Sequence, residues 1–133
     1  MLHVLIGPVC NNHCIFCMES DRESRQRHVS GQTTADLLAM LETYAQRDEV
    51  LFTSGEPTLN PDLPELIAAA KALGYRSIGL ISNGRRFAYA DYARSLLDAG
   101  LNKITISVHG HTAKLHDAQT RTRGSFEHTR AGL

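Results

Sequence analysis

Three cysteines, Cys10, Cys14 and Cys17, lie within eight residues, and the 133-residue chain contains no others. An odd number of thiols so close together cannot form a disulfide framework, so their grouping points to a metal site. The spacing is C-x3-C-x2-C. Three thiolates on one short loop can each take a corner iron of a cubane cluster and leave the fourth iron open for chemistry. The alternative is a structural zinc module of three cysteines and one histidine, with His13 or His28 as the fourth ligand. Closed zinc sites usually join two separated ligand pairs, not one loop of three, and His13 inside the loop reads as a solvated residue.

Other polar clusters have chemistry of their own. In Ser54-Gly55-Glu56-Pro57, a carboxylate and turn carbonyls suit an ammonium-like group, and Gly55 allows close backbone approach. Taken alone, that tetrapeptide is a proline turn with an exposed acid, and Ser82-Asn83-Gly84 is simply a turn. His109, His111 and His116 could form a second metal site, a substrate contact or a polar loop. Arg22, Arg25, Arg27, Arg85 and Arg86 could meet an anionic substrate, although such residues more often form a solvated surface.

Strands and helices must position these residues. Leu2–Ile6, Glu49–Thr53, Ser77–Ile81 and Lys103–Val108 read as strands, each followed by one of the polar clusters. Asn11–Gln32 is polar and loop-like. Thr33 or Thr34 can cap a helix through Leu37, Leu38, Leu41 and Tyr44. Asp62 precedes a second helix that Gly74 stops, and a third runs from Tyr89 to Gly100. Beyond a polar stretch, Ser125 could cap a fourth. Four strand–helix repeats with near-continuous apolar strands predict an α/β fold with a parallel sheet. Right-handed crossovers would bring all four polar clusters to one edge, where such folds bind ligands.

The whole chain, residues 1–133, is expected to form one domain. Its formal net charge is zero, which gives no support to a nucleic-acid or anionic-membrane role. No apolar run approaches the roughly 18 residues needed to span a bilayer. MLHVLIGPVC makes a poor signal peptide, so the expected location is cytoplasmic. Phe126–Leu133 would make only about two helical turns without a C-terminal cap. The chain is therefore read as truncated.

The Cys10, Cys14, Cys17 spacing, the aromatic Phe16 before the third cysteine and the ordered motifs after later strands resemble the radical S-adenosylmethionine (SAM) superfamily. The resemblance implies a partial (βα)6 TIM-like barrel with about four βα units present. It also implies a [4Fe–4S] cluster on the three cysteines and SAM chelating the open iron. Reductive cleavage of SAM would give a 5′-deoxyadenosyl radical that abstracts hydrogen from an unidentified substrate, with peptide modification and cofactor biosynthesis both open. Ser54, Gly55, Glu56 and Pro57 match the GGEP-type motif that meets the SAM amino group, with Ser in place of the first Gly. Ser82 and Asn83 match the turn near its methionyl end or ribose. Ser107 and His109 fall where relatives place polar residues against the ribose, and Phe16 where they pack adenine. No residue is singled out as catalytic. An electron donor such as flavodoxin or ferredoxin is implied, and an inactive cluster-binding fragment is the alternative for a shortened chain.

Overall fold

A computed structural model describes residues 1–18 and 32–133. Four strands, β1 (Leu2–Leu5), β2 (Glu49–Thr53), β3 (Ser77–Ser82) and β4 (Lys103–Ile106), form one open sheet in the order β1-β2-β3-β4. Every neighbouring pair is parallel, in registers that set Val4 against Phe52, Phe52 against Leu80 and Leu80 against Ile104. Strand alternation then puts Val4, Val50, Phe52, Ile78 and Leu80 on one face, where they form the core.

Helices α1 (Thr34–Thr43), α2 (Leu63–Ala72) and α3 (Ala90–Ala99) cover that face, α1 packing on α2 and α2 on α3. Their contributions are Leu37 and Leu41, Leu63, Leu66 and Ile67, and Leu96, all buried. Each such side chain contributes roughly 1.5–3 kcal/mol by leaving water. Thr33 starts α1 with a full capping box: its hydroxyl accepts from the Asp36 N–H at 3.2 Å and the Asp36 carboxylate accepts from the Thr33 N–H at 2.7 Å. Gly100 ends α3 at φ 125°.

Several expectations need correcting. The polar stretch after β4 contains a helix, α4 (Ala113–Thr120), capped by the Thr112 hydroxyl. The last helix, α5 (Ser125–Ala131), has Gly124 at its N-cap, so Ser125 is its first residue. The Ser125 hydroxyl instead meets Thr120 and Asp117. Asp62 precedes α2 as expected, and its carboxylate accepts from the Thr34 hydroxyl at 2.5 Å, tying α1 to α2. Strand β4 stops at Ile106, two residues before Val108, and its outer residues Lys103, Ile104 and Thr105 are exposed. An edge strand with no neighbour beyond it lacks the pairing that would extend it. Arg22, Arg25, Arg27 and His28 lie outside the described residues.

Candidate active site

The loop carrying Cys10, Cys14 and Cys17 leaves β1 at the C-terminal edge of the sheet, and all three cysteines are half-buried and outside any disulfide. Its own geometry starts to shape a sulfur site. The Asn12 N–H lies 3.4 Å from the Cys10 sulfur, and the Cys17 N–H donates to the Cys14 carbonyl at 3.3 Å, turning the chain between the last two thiols.

Neighbouring elements grip this loop from two sides. From the turn after β3, the Asn83 side-chain amide donates to Asn11 Oδ1 at 2.6 Å, and Arg85 donates to the Asn11 carbonyl at 2.6 Å and to Asn12 Oδ1 at 3.0 Å. On the other side, the His13 and Ile15 N–H groups donate to the carbonyls of Thr120 and Gln119, in the last turn of α4. A helix C-terminus has carbonyls without partners inside the helix, and here the cysteine loop supplies their donors.

The Ser54–Pro57 turn presses against the start of the same loop. Glu56 N–H donates to the Val9 carbonyl at 2.7 Å, and a Cβ on Gly55 (φ 55°) would sit 2.4 Å from the carbonyl oxygens of Gly7 and Val9, so only glycine fits. The Glu56 side chain is buried. Its Oε1 accepts from Thr58 N–H, the Thr58 hydroxyl and the Ser82 hydroxyl, and its Oε2 accepts from Asn83 N–H, at distances from 2.6 to 3.2 Å. The carboxylate thus ties the β2 turn to the β3 turn. Asn83 is similarly engaged, with its Oδ1 accepting from Arg85 N–H. Ser54, by contrast, sits at φ 78° with a buried hydroxyl that has no partner among the described residues.

At the β4 end, Ser107 N–H donates to the Ser82 carbonyl at 2.9 Å, extending the ladder beyond the strand. The His109 ring lies 4.5 Å from that of Phe16 and 5.8 Å from that of His116, centroid to centroid. His109 N–H donates to His116 Nδ1, which fixes the neutral tautomer of His116 with its proton on Nε2. That Nε2 is buried without a partner among the described residues. Burial lowers the pKa of both imidazoles, assisted for His109 by the nearby His116 and opposed for His116 by Asp117. Burial alone would raise the Asp117 carboxyl, but bonds from Phe126 N–H, Gly124 N–H and Ser125 outweigh it and hold its pKa below the usual value.

The residues expected at the site therefore do gather along one sheet edge. Phe16 is half exposed beside His109, and His111 is exposed. Arg85 and Arg86 do not form the solvated surface that their sequence suggests: Arg85 holds the cysteine loop, and Arg86 donates to the Thr58 carbonyl and lies over Tyr92. Asn11, Asn12, Arg85 and the end of α4 are the parts that sequence reasoning missed. The two amides between Cys10 and His13 were the available signal.

Among the described residues, no three His, Cys, Asp or Glu side chains converge on a point that could hold one ion. A cubane makes a different demand, because each thiolate takes its own iron. Three thiols outside any disulfide on a tethered loop, one already facing an amide N–H, fit that demand. The unpaired Ser54 hydroxyl and the tight turn at Gly55 offer polar and backbone contacts to a small ligand beside it.

Comparison with known proteins agrees. The family model "Radical SAM superfamily" matches residues 4–133. The chain is 34% identical over 108 residues to a probable GTP 3′,8-cyclase of Saccharolobus islandicus (strain L.S.2.15 / Lassen #1), covering 81% of this chain and 34% of that protein. It is 35% identical over 111 residues to a probable GTP 3′,8-cyclase of Metallosphaera sedula, covering 84% of this chain and 34% of that protein. The chain thus spans about a third of the length of the curated relatives it matches. It belongs to the radical SAM superfamily, enzymes that work with a [4Fe–4S] cluster and S-adenosylmethionine.

Proposed function

We propose that Cys10, Cys14 and Cys17 hold the cluster, and that the Ser54–Pro57 turn, Ser82, Asn83, Ser107, His109 and Phe16 surround SAM in a core domain formed by residues 1–133, a partial TIM-like barrel. When bound, the cluster and SAM supply one-electron cleavage of the C5′–S bond, giving methionine and a 5′-deoxyadenosyl radical that takes a hydrogen atom from a substrate and leaves as 5′-deoxyadenosine. The protein residues hold and shield. Glu56 acts mainly by fixing two turns against each other, so backbone carbonyls and the Ser54 hydroxyl are the groups left to meet the SAM methionyl end. His109, neutral and tilted at 54° against the Phe16 ring, offers an aromatic wall for the adenosine.

The observation that carries this reading is the tethering of the cysteine loop between the β3 turn and the end of α4. A low-potential donor such as flavodoxin or ferredoxin would supply the electron, and a reducing cytoplasm would keep the thiols available. No helix of the described residues is long and apolar enough to cross a membrane. The relatives named as GTP 3′,8-cyclases make a purine nucleotide the first substrate to try, ahead of a peptide.

Anaerobic reconstitution is expected to give about four irons and four sulfides per chain. With SAM and a strong reductant, 5′-deoxyadenosine and methionine should then form in equal amounts. Stoichiometric zinc with reduced thiols and no cluster would overturn the assignment of the cysteines. An intact cluster without 5′-deoxyadenosine would leave a cluster-binding fragment. Cys14→Ala should lose stable cluster binding, measured as iron content after desalting.

A further inference from the structure

We propose that Arg85 is a positioning residue that raises the reduction potential of the cluster, acting through Asn11 and Asn12. The proposal rests on the assignment of Cys10 as a cluster ligand. Arg85 is anchored in the turn after β3, where its N–H donates to Asn83 Oδ1 at 3.0 Å. From there one guanidinium nitrogen reaches the Asn11 carbonyl at 2.6 Å and Asn12 Oδ1 at 3.0 Å. Asn12 is only 3% exposed, and its own N–H points at the Cys10 sulfur from 3.4 Å. Asn83 holds Asn11 from the same turn. The two residues after Cys10 are thus fixed by one guanidinium nitrogen and one amide, which keeps the Asn12 N–H on the Cys10 sulfur.

Two effects follow in the same direction. An N–H bond to a ligating sulfur and a nearby cation both stabilise the more negative, reduced cluster. Among the described residues Arg85 makes no ion pair, and its Nε is buried without a partner. A cluster raised in this way accepts an electron more readily from a donor.

The test is an EPR-monitored redox titration of the reconstituted chain, with iron and sulfide analysis and circular dichroism on each sample. Arg85→Met should retain a full cluster with a lower midpoint potential. Arg85→Lys keeps the charge but replaces the rigid guanidinium with a more flexible ammonium, so its midpoint should fall between Met and the parent. Asn12→Ala keeps the backbone N–H but removes the Oδ1 that Arg85 grips, and should also lower the midpoint. Full clusters at the parent midpoint in both Arg85→Met and Asn12→Ala would overturn the proposal. If Arg85→Met does not fold, Arg85→Lys and Asn12→Ala decide on the same readout, and parent midpoints in both overturn it. Failure of the parent chain to assemble any iron–sulfur cluster would instead reject the assignment of the cysteines, a distinct result.

Discussion

At the β2–β3 end of the site a buried carboxylate is fully hydrogen-bonded, whereas at the β4 end a buried imidazole is only half used. Glu56 takes four donors from Thr58, Ser82 and Asn83, and every one belongs to the protein. His116 accepts one bond from His109 and leaves Nε2 unpaired. The central strands are paired on both sides, while β4 has only β3 beside it. The difference separates scaffold from response: the first region holds its shape without a ligand, and the second keeps polar capacity in reserve.

The sharpest way to break this contrast is Glu56→Ala. Removing the carboxylate strands three or four donors in a buried turn, each costing about 1–3 kcal/mol if unrelieved. A net loss of about 3 kcal/mol or more in urea denaturation is expected, with SAM affinity falling as the two turns loosen. Glu56→Gln keeps one oxygen but turns an NH2 toward an existing donor, so about 1–3 kcal/mol is expected. A cost below about 1 kcal/mol for Glu56→Ala would show that the acid does not organise the turns.

Asp117→Ala probes the other end with a smaller effect. Its carboxylate accepts from Gly124 N–H, Phe126 N–H and the Ser125 hydroxyl, so it caps α5 from α4. The expected cost is about 1–2 kcal/mol. Because Gln119 and Thr120 carry the cysteine loop, cluster retention should fall with it. Unchanged cluster retention in a destabilised variant would separate α4 from the loop.

How much of this was legible beforehand follows the same divide. Strands β1 to β3 were readable because they are apolar runs that end in turn residues, and Thr33 and Gly100 acted at the helix ends their types predict. The ordering of polar clusters along one edge was legible too, since parallel strands leave no other arrangement. Helix α4 was not. Its buried residues are His116 and Thr120, four apart, while its one large apolar residue, Leu115, is 46% exposed. A helix that buries polar side chains has no apolar period to detect. The tie from Arg85 to Asn11 spans 74 residues of sequence and depends on a loop conformation that spacing does not encode.

The β4 end should also respond to pH. His116 has an ordinary pKa of 6.5 that burial lowers in the folded state, and His109 shifts in the same direction. The unfolded chain then binds protons that the folded chain refuses. The resulting stability is present above 6.5 and is lost as pH falls through the folded pKa values. The melting temperature of the cluster-free chain should therefore drop between about pH 7.5 and about pH 5.5. His116→Gln should flatten that slope without abolishing it, because His109 still titrates. Asp117, held below its ordinary 3.8, gives stability that fails only at much lower pH and lies outside this window. An equal slope in His116→Gln would remove the imidazole from the account.

Ser54 sharpens the contrast most finely, because its hydroxyl is an unsatisfied group in the turn after β2, at the otherwise self-sufficient end. At φ 78° its Cβ is strained, a cost of roughly 1–2 kcal/mol that glycine would not bear. Its hydroxyl is buried with no partner among the described residues, which adds a further desolvation cost. Against these, Ser54→Gly gives the unfolded chain more freedom, worth about 0.5–1 kcal/mol. The balance predicts a cluster-free variant up to about 1 kcal/mol more stable, a rise of a few degrees in melting temperature. If the hydroxyl is held ready for SAM, the same variant should bind SAM about threefold to tenfold more weakly, the worth of one hydrogen bond. Greater stability with unchanged SAM affinity would make Ser54 a tolerated strain rather than a contact. Greater stability with weaker binding would show that the strain is kept because the ligand uses the hydroxyl.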